Sequence, residues 1–244
     1  AYGGASMGYR EHVVAMEEIS RASASVGLSY GAHSNLAVNQ IQINGTEAQK
    51  KCYLPKLISG EHVGALAMSE PNAGSDVVGM KLRADKKGDR YILNGTKMWI
   101  TNGSSADVAV VWAKDDGGVV RGFLLEKGMD GYSSNDIHGK LSLRASITSE
   151  LAMVNVPVPD SARLPGVEGM KGPLSCLTQA RYGIAWGMTG CATDCYQTAL
   201  DYAKERKQFS KPIAGYQLTQ AKFTEMLTMI TEAQLMVLRL GRMK

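Results

Sequence analysis

Three short stretches carry the residue types that could do chemistry. The first, LAMSEPNAGSD at 66–76, sets Pro71, Asn72 and Gly74 between apolar residues and a Ser-Asp pair. Successive backbone N–H groups, with the Ser69 and Ser75 hydroxyls, could face an anion or the polar edge of a ring, as in a backbone nest. The second, KMWITNG at 97–103, puts Trp99 two residues before Thr101, on one face of a strand by simple alternation. An aromatic face beside a hydroxyl donor suits a flat heterocycle. The third, RKQFSKPIAGYQ at 206–217, offers Arg206, whose planar guanidinium suits a pyrophosphate, with Phe209 and Gln217 after it. Each stretch also has a plainer alternative in a surface turn, a core tryptophan or a solvated basic turn.

The elements that must position these stretches change character twice along the chain. GYREHVVAMEEISRASASV at 8–26 has apolar side chains at 13, 14, 16 and 19 with charges between, which predicts an amphipathic helix. LSYGAHSNLAVNQIQ continues the helical reading after Gly27. TEAQKKCYLPKLISG then opens on a Thr cap and closes on Ser59-Gly60, so the first sixty residues read as helical. The period then shortens. YILNGTKMWITNG reads as two β-rich runs joined by Asn94-Gly95, a strong hairpin signal, and ends on Asn102-Gly103. DVAVVWAKD, VVRGFLLEKG and SELAMVNVPVPD are further strands separated by turn residues, which together predict an antiparallel sheet or barrel. After LPGVEGMKGP a long helical pattern returns at 174–209. From Gln217 onward apolar residues at 218, 223, 226, 227, 230, 233, 237 and 240 mark one face of another helix, running to Lys244. The expected class is α+β, divided as a helical segment 1–62, a β domain 63–164 and a helical bundle 165–244.

Composition removes several classes of function. With 44% hydrophobic residues in 244, a sizeable core is available. The formal charge of +4 is small and evenly spread, and no basic block alternates with aromatics, so nucleic acid is not an expected partner. No apolar run reaches membrane-spanning length. Cys52, Cys176, Cys191 and Cys195 are read as reduced and mostly buried. The last two stand four apart rather than as CxxC, and with four scattered His and no HExxH no metal site is expected.

In this order, LAMSEPNAGSD, WIT and RxxF with a Gln eleven residues after the Arg resemble the flavin-dependent acyl-CoA dehydrogenases, and the resemblance extends over essentially the whole chain. It implies an α-helical domain, a central antiparallel β domain and a C-terminal helical bundle, incomplete at both ends. It implies FAD, an acyl-CoA substrate, an electron-transferring flavoprotein as partner, a homotetramer, and the mitochondrial matrix or bacterial cytoplasm as compartment. Leu66, Ala67, Met68, Ser69, Glu70, Pro71, Asn72, Ala73, Gly74 and Ser75 are implied to lie along the flavin, with Ser75 also touching the thioester. Trp99, Ile100 and Thr101 are implied to stack on the flavin and reach the atom that accepts hydride. Arg206 and Gln217 are implied to reach the FAD of a neighbouring subunit. Ser210 stands where the family commonly has Gly. Leu174, Ser175, Cys176, Leu177, Thr178, Gln179, Ala180 and Arg181, opening the first bundle helix, are implied to line the substrate site.

The two halves resemble different members. GLSYGAHSNLAVNQIQ and EAQKKCYLPKLISGEHVGALAMSEPNAGSDVV are similar to isovaleryl-CoA dehydrogenase, whereas VRGFLLEKGM, GKLSLRAS and CLTQARYGIAWG are similar to glutaryl-CoA dehydrogenase. The glutaryl type holds its distal carboxylate with an Arg where this chain has Gly27 and Leu28. The isovaleryl type carries its catalytic Glu directly before an Arg, at the place held here by Ala180. The glutaryl type carries it on a later loop. No residue of the chain is thereby assigned as the base, and Glu150 and Glu168 lie in the wrong segments. A non-catalytic flavin- or acyl-CoA-binding protein on the same scaffold is the alternative.

Overall fold

The computed structural model describes residues 2–5 and 7–243, so Ala1, Ser6 and Lys244, which the expected divisions include, lie outside it. The helical opening forms, but not as one rod. Helix α1, Tyr9–Ala22, stops at Ser23, whose backbone is extended (φ −161°, ψ 114°). Helix α2, Ala24–Gly31, then runs through a π-helical segment, Ala32–Val38, into α3, Asn39–Asn44. Within the π-helical turn His33 accepts from the Gly64 N–H at Nδ1 (2.9 Å), while Nε2 lies 2.9 Å from the Leu57 carbonyl. This pairing fixes the neutral tautomer with its proton on Nε2. The predicted Thr46 cap closes a capping box with Gln49, with Thr46 Oγ1 accepting at 3.1 Å and Gln49 Oε1 at 2.8 Å. Helix α4, Glu47–Ser59, then ends on left-handed Gly60.

The sheet has seven strands: β1 Gly64–Ala67, β2 Arg83–Lys87, β3 Arg90–Thr101, β4 Val108–Lys114, β5 Val120–Glu126, β6 Tyr132–Asp136 and β7 Thr148–Pro159. Their order is β1-β4-β2-β3-β7-β6, with β5 also on β4. Pairing is antiparallel except that β4 runs parallel to β1 and, at one residue pair, to β2. Strand β1 is only four residues long, and β2 and β6 are five residues long with few apolar residues, so pattern reading passed over them.

One expectation is corrected here. Asn94-Gly95 does not turn a hairpin but lies inside β3, at a register shift against β7. Gly95 has φ 140°, a Cβ there would come within 3.0–3.2 Å of Leu82, and Asn94 exchanges hydrogen bonds with Asn155 (2.8 and 3.2 Å). A bulge uses the same conformational freedom as a turn, so the dipeptide signals both. The turn falls at Gly88-Asp89, where Gly88 takes φ 61°.

Strand β4 is buried on both faces. Ala109, Val111 and Ala113 join Leu93, Phe123, Leu125, Leu151 and Val156 in a core made of strand residues, which shows the sheet curled around one of its faces. Val108, Val110 and Trp112 point the other way, to Ile41, Leu54, Leu57, Leu124 and Leu164. This explains why DVAVVWAKD reads as a continuous apolar run rather than an alternating one. Each fully buried large side chain in these cores contributes about 1.5–3 kcal/mol.

By packing, the chain divides into two units. One holds residues 1–7 and 28–181, the other 8–27 and 182–244. The three-part division read from sequence follows chain order instead. The second unit contains α1, most of the 35-residue helix α5 (Lys171–Glu205), a small hairpin of β8 (Lys207–Gln208) and β9 (Lys211–Pro212), and α6, Gln217–Met243. A Cβ on Gly190 would sit 2.2 Å from the Glu17 carbonyl, so glycine there is required by the close approach of α1 and α5. Val13, Tyr182 and Val237 form a small core, and the Tyr182 hydroxyl donates to the Val237 carbonyl at 3.0 Å. Helix α6 forms as its spacing predicts, yet Val237 is its one buried residue among those described, and Leu218, Met226, Leu227 and Leu240 are exposed. The cysteines are free, but only Cys176 is buried. Cys191 is half-buried, and Cys52 and Cys195 are exposed, because they fall on outward helix faces.

Candidate functional site

Strand β1 delivers the first motif. Leu66 and Ala67 are buried in it, and the chain leaves the sheet at Met68 and Ser69. A tight turn follows, closed by Glu70 N–H to the Ala73 carbonyl (3.0 Å) and Ala73 N–H to the Glu70 carbonyl (3.1 Å), with Pro71 and Asn72 at its exposed tip. Gly74 and Ser75 are exposed beyond it. The Met98 N–H donates to the Ser69 carbonyl at 2.9 Å, which places the loop beside the second motif.

A buried ion pair pins the two together. Lys97 Nζ, with no exposed side-chain surface, donates to Glu70 Oε1 (2.9 Å) and to the Met68 carbonyl (2.9 Å). The Glu70 carboxylate also accepts from the backbone N–H groups of Lys81 (2.6 Å) and Leu82 (3.0 Å). Burial works against the carboxylate, but these two N–H groups and Lys97 outweigh it and hold Glu70 below the ordinary carboxylate range. Burial pulls the Lys97 ammonium down to about 8 against the attraction of Glu70. Glu70, expected among the cofactor contacts, thus directs its carboxylate into the protein, and what it contributes to the loop is the turn. Lys97 was not foreseen. Its signal in the sequence was a lone lysine inside a β-rich run.

The second motif sits on a strained piece of β3. Register shifts between Lys97 and Ile100, and Trp99 takes φ 64°. Left-handed backbone costs a bulky residue about 1–2 kcal/mol. Strict alternation therefore fails at this point, although buried Ile100 is still flanked by exposed Trp99 and half-exposed Thr101. Trp99 is 61% exposed, which removes the alternative that it is a core residue. No hydrogen bond among the described residues engages the hydroxyls of Ser69, Ser75 or Thr101. Asn102, also left-handed, closes the segment by donating from Nδ2 to the Ser29 carbonyl (3.0 Å) and from N–H to the Ile147 carbonyl (2.9 Å).

The remaining expected residues divide between the units. Leu174 to Arg181 are early turns of α5 and belong to the first unit. Gln40 Nε2 and Ser175 Oγ both donate to the Gly172 carbonyl (2.7 Å each), which anchors the helix start. Cys176 is enclosed, in one core cluster with Leu66 and Met68, so its thiol packs rather than facing a ligand. Leu174, Ser175, Thr178 and Arg181 are exposed, and Leu177, Gln179 and Ala180 are half-buried. Ala180 offers no atom that can take a proton. Glu150 lies on β7, and Glu168 pairs with Arg121 at 3.3 Å. Arg206 and Gln217 are exposed residues of the second unit, at either end of the β8–β9 hairpin. That turn forms with Ser210 in the left-handed region (φ 63°) beside left-handed Phe209.

Comparison with known proteins decides the family. The models for the acyl-CoA dehydrogenase N-terminal, middle and C-terminal domains match residues 1–61, 65–156 and 168–244 in turn. This chain belongs to the acyl-CoA dehydrogenase family. It is 50% identical over 246 residues to the mitochondrial isovaleryl-CoA dehydrogenase of Arabidopsis thaliana, covering 99% of this chain and 60% of that one. It superposes with a TM-score of 0.97 and 43% identity on a glutaryl-CoA dehydrogenase from Mycobacterium smegmatis in complex with FADH2, covering 100% of this chain and 63% of that one. It also superposes, with a TM-score of 0.93 and 37% identity over 98% of its length, on 64% of a chain in a structure described as the electron transferring flavoprotein of Acidaminococcus fermentans. The acyl-CoA dehydrogenase chain described here thus spans about 60% of the length of such relatives. Among its described residues no group of three or more His, Cys, Asp or Glu could hold a metal ion, and no helix is long and apolar enough to cross a membrane.

Proposed function

We propose that this chain is the flavin- and thioester-cradling part of an enzyme that desaturates a short-chain acyl-CoA between its α and β carbons, with FAD as cofactor. One observation carries the reading: a large aromatic, Trp99, is held exposed on costly left-handed backbone beside the loop of Ser69 and Ser75, whose hydroxyls take part in no hydrogen bond among the described residues. A flat polar heterocycle would cover the indole and take hydrogen bonds from those hydroxyls and from Thr101. The Glu70–Lys97 pair holds the loop in place for it, which spares reorganisation on binding. Family membership and the FADH2 complex of a 43% identical relative support FAD as that heterocycle. When bound, FAD would accept the β-hydride and release electrons to an electron-transferring flavoprotein.

The chain's own residues account for binding and orientation, with Ser75 and the Leu174–Arg181 turns against the thioester. Removal of the α-proton needs a carboxylate, which Ala180 does not supply. In the first reading the base comes from a later loop, as in the glutaryl type; Ala180 is what supports a second reading, a protein that binds flavin and acyl-CoA without turning them over. Gly27 and Leu28, in place of a carboxylate-holding Arg, support an uncharged, branched short acyl chain. Arg206 and Gln217 would serve the flavin of a neighbouring subunit in a homotetramer, in the mitochondrial matrix or bacterial cytoplasm. The segments 1–62, 63–164 and 165–244 are taken as the functional domains.

Titrating FAD into the purified chain tests the site, with flavin fluorescence quenched by wild type and much less by Trp99→Ala. Isovaleryl-CoA or glutaryl-CoA is then added without oxygen. Bleaching of the flavin supports desaturation, and binding without bleaching supports the second reading. Failure of wild type to bind FAD overturns both, and faster bleaching by glutaryl-CoA overturns the preference for an uncharged chain.

A further inference from the structure

Cys191 and Cys195 lie one turn apart in the second-unit part of α5, half-buried and exposed, and both are free. The flavin site does not use them. Two free thiols four residues apart on one helix face can close a disulfide, hold a metal, or chelate a thiophilic centre. Helix geometry separates these outcomes. Side chains at i and i+4 have Cβ atoms about 5–6 Å apart, whereas a disulfide needs about 3.5–4.5 Å between Cβ atoms and an S–S bond of about 2.05 Å. Closing one would force the helix to bend. A structural zinc site needs four ligands, and among the described residues no group of three or more His, Cys, Asp or Glu could hold a metal ion, the neighbouring Asp194 included. What fits is a centre that bridges two sulfurs at more than bonding distance and brings its own remaining ligand.

We propose that Cys191 and Cys195 form a two-thiol chelation site for a monosubstituted trivalent arsenical. The reaction is a condensation without redox. Two As–S bonds form, the As–O bond breaks, and the two thiol protons leave with the oxygen as water. The organic group on arsenic fills its third position, so no further protein ligand is needed. Both sulfurs stay on one helix face, and the helix keeps its hydrogen bonds. Burial, and next the neighbouring Cys195, push the Cys191 thiol up from its ordinary value, so chelation should quicken as pH rises. Cys52 is exposed but alone, and Cys176 is buried, so neither offers a competing pair.

The test is intact-mass analysis of the folded 244-residue chain with phenylarsine oxide. One phenylarsine group per chain is expected, retained in excess 2-mercaptoethanol and removed by 2,3-dimercaptopropanol. Tryptic digestion should leave it on the peptide 182–204, which contains both cysteines and no other. Cys191→Ser and Cys195→Ser should each lose the dithiol-reversible adduct, and Cys52→Ser with Cys176→Ser should keep it. Diamide should not remove two hydrogens from that peptide while the chain is folded. The proposal is overturned by no adduct on wild type, by an adduct mapped elsewhere or by one that monothiol strips. Ready closure of a 191–195 disulfide overturns it too, because it would show the helix geometry does not hold the sulfurs apart.

Discussion

The β3 segment 97–102 and helix α6 are opposites in how their sequence meets its surroundings. In β3 a charged residue, Lys97, is fully buried and an aromatic one, Trp99, is exposed on left-handed backbone. In α6 the helical spacing is regular, yet most of its apolar residues face outward and only Val237 is buried among those described. Local pattern predicts the second element well and the first one poorly. Energetically the order reverses: β3 is tied into the strand-lined core and an ion pair, and α6 rests mainly on its backbone, the small contact around Tyr182, the Phe223 ring against Tyr196 and one hydrogen bond from Gln234 to Glu17. An irregular strand that is expensive to hold has a use for its irregularity, whereas a regular helix needs no special explanation.

The largest expected effect breaks the ion pair. Lys97→Ala leaves the Glu70 carboxylate buried beside two backbone donors and without its cation, and should cost about 3–5 kcal/mol. Leu235→Ala on the exposed side of α6 should cost less than about 0.5 kcal/mol. Urea unfolding of both variants measures the contrast, and equal losses would remove the distinction between the regions. Next comes Gly95→Ala, which puts a side chain at φ 140° against Leu82. A loss of about 1–3 kcal/mol is expected, and a neutral outcome would mean the bulge relaxes freely.

A pH-dependent effect follows. Burial lowers the pKa of His33 more than its bond to the Leu57 carbonyl raises it. The folded state therefore binds that proton less readily than the unfolded state. The stability His33 contributes is present above its unfolded value near 6.5 and drains away as pH falls below it. His12 in the second unit is also lowered by burial and acts with the same sign. Unfolding midpoints from pH 7.5 to 5 should fall, and His33→Gln should flatten the curve without abolishing its slope. The smallest effect is Ser210→Gly. It relieves one left-handed residue of the β8–β9 turn and should stabilise by less than about 1 kcal/mol, read as a small rise in Tm.

Much of the fold was legible because it rests on short-range periodicity. The Thr46 cap, the long run into α5, the spacing of α6 and three of the strands all follow from neighbours within a turn or a pleat. The misreading at Asn94-Gly95 shows where such logic stops. The dipeptide states that the backbone takes an unusual conformation there, but a turn and a bulge differ only in which strand lies opposite. The cysteines failed for a related reason: a thiol's composition says little about which helix face it occupies.

For the site, the sequence by itself determined which residues form the loop, which aromatic and hydroxyls accompany it, and that position 180 is an Ala, which has no atom to take a proton. These are statements of residue type and order, and they hold whatever the packing. Only the tertiary structure decided that Glu70 turns inward to Lys97 while Trp99 turns out, and that Cys176 is core. Those choices are made between segments about thirty or more residues apart in the chain, where burial and register set the free energy and local preference sets almost none of it.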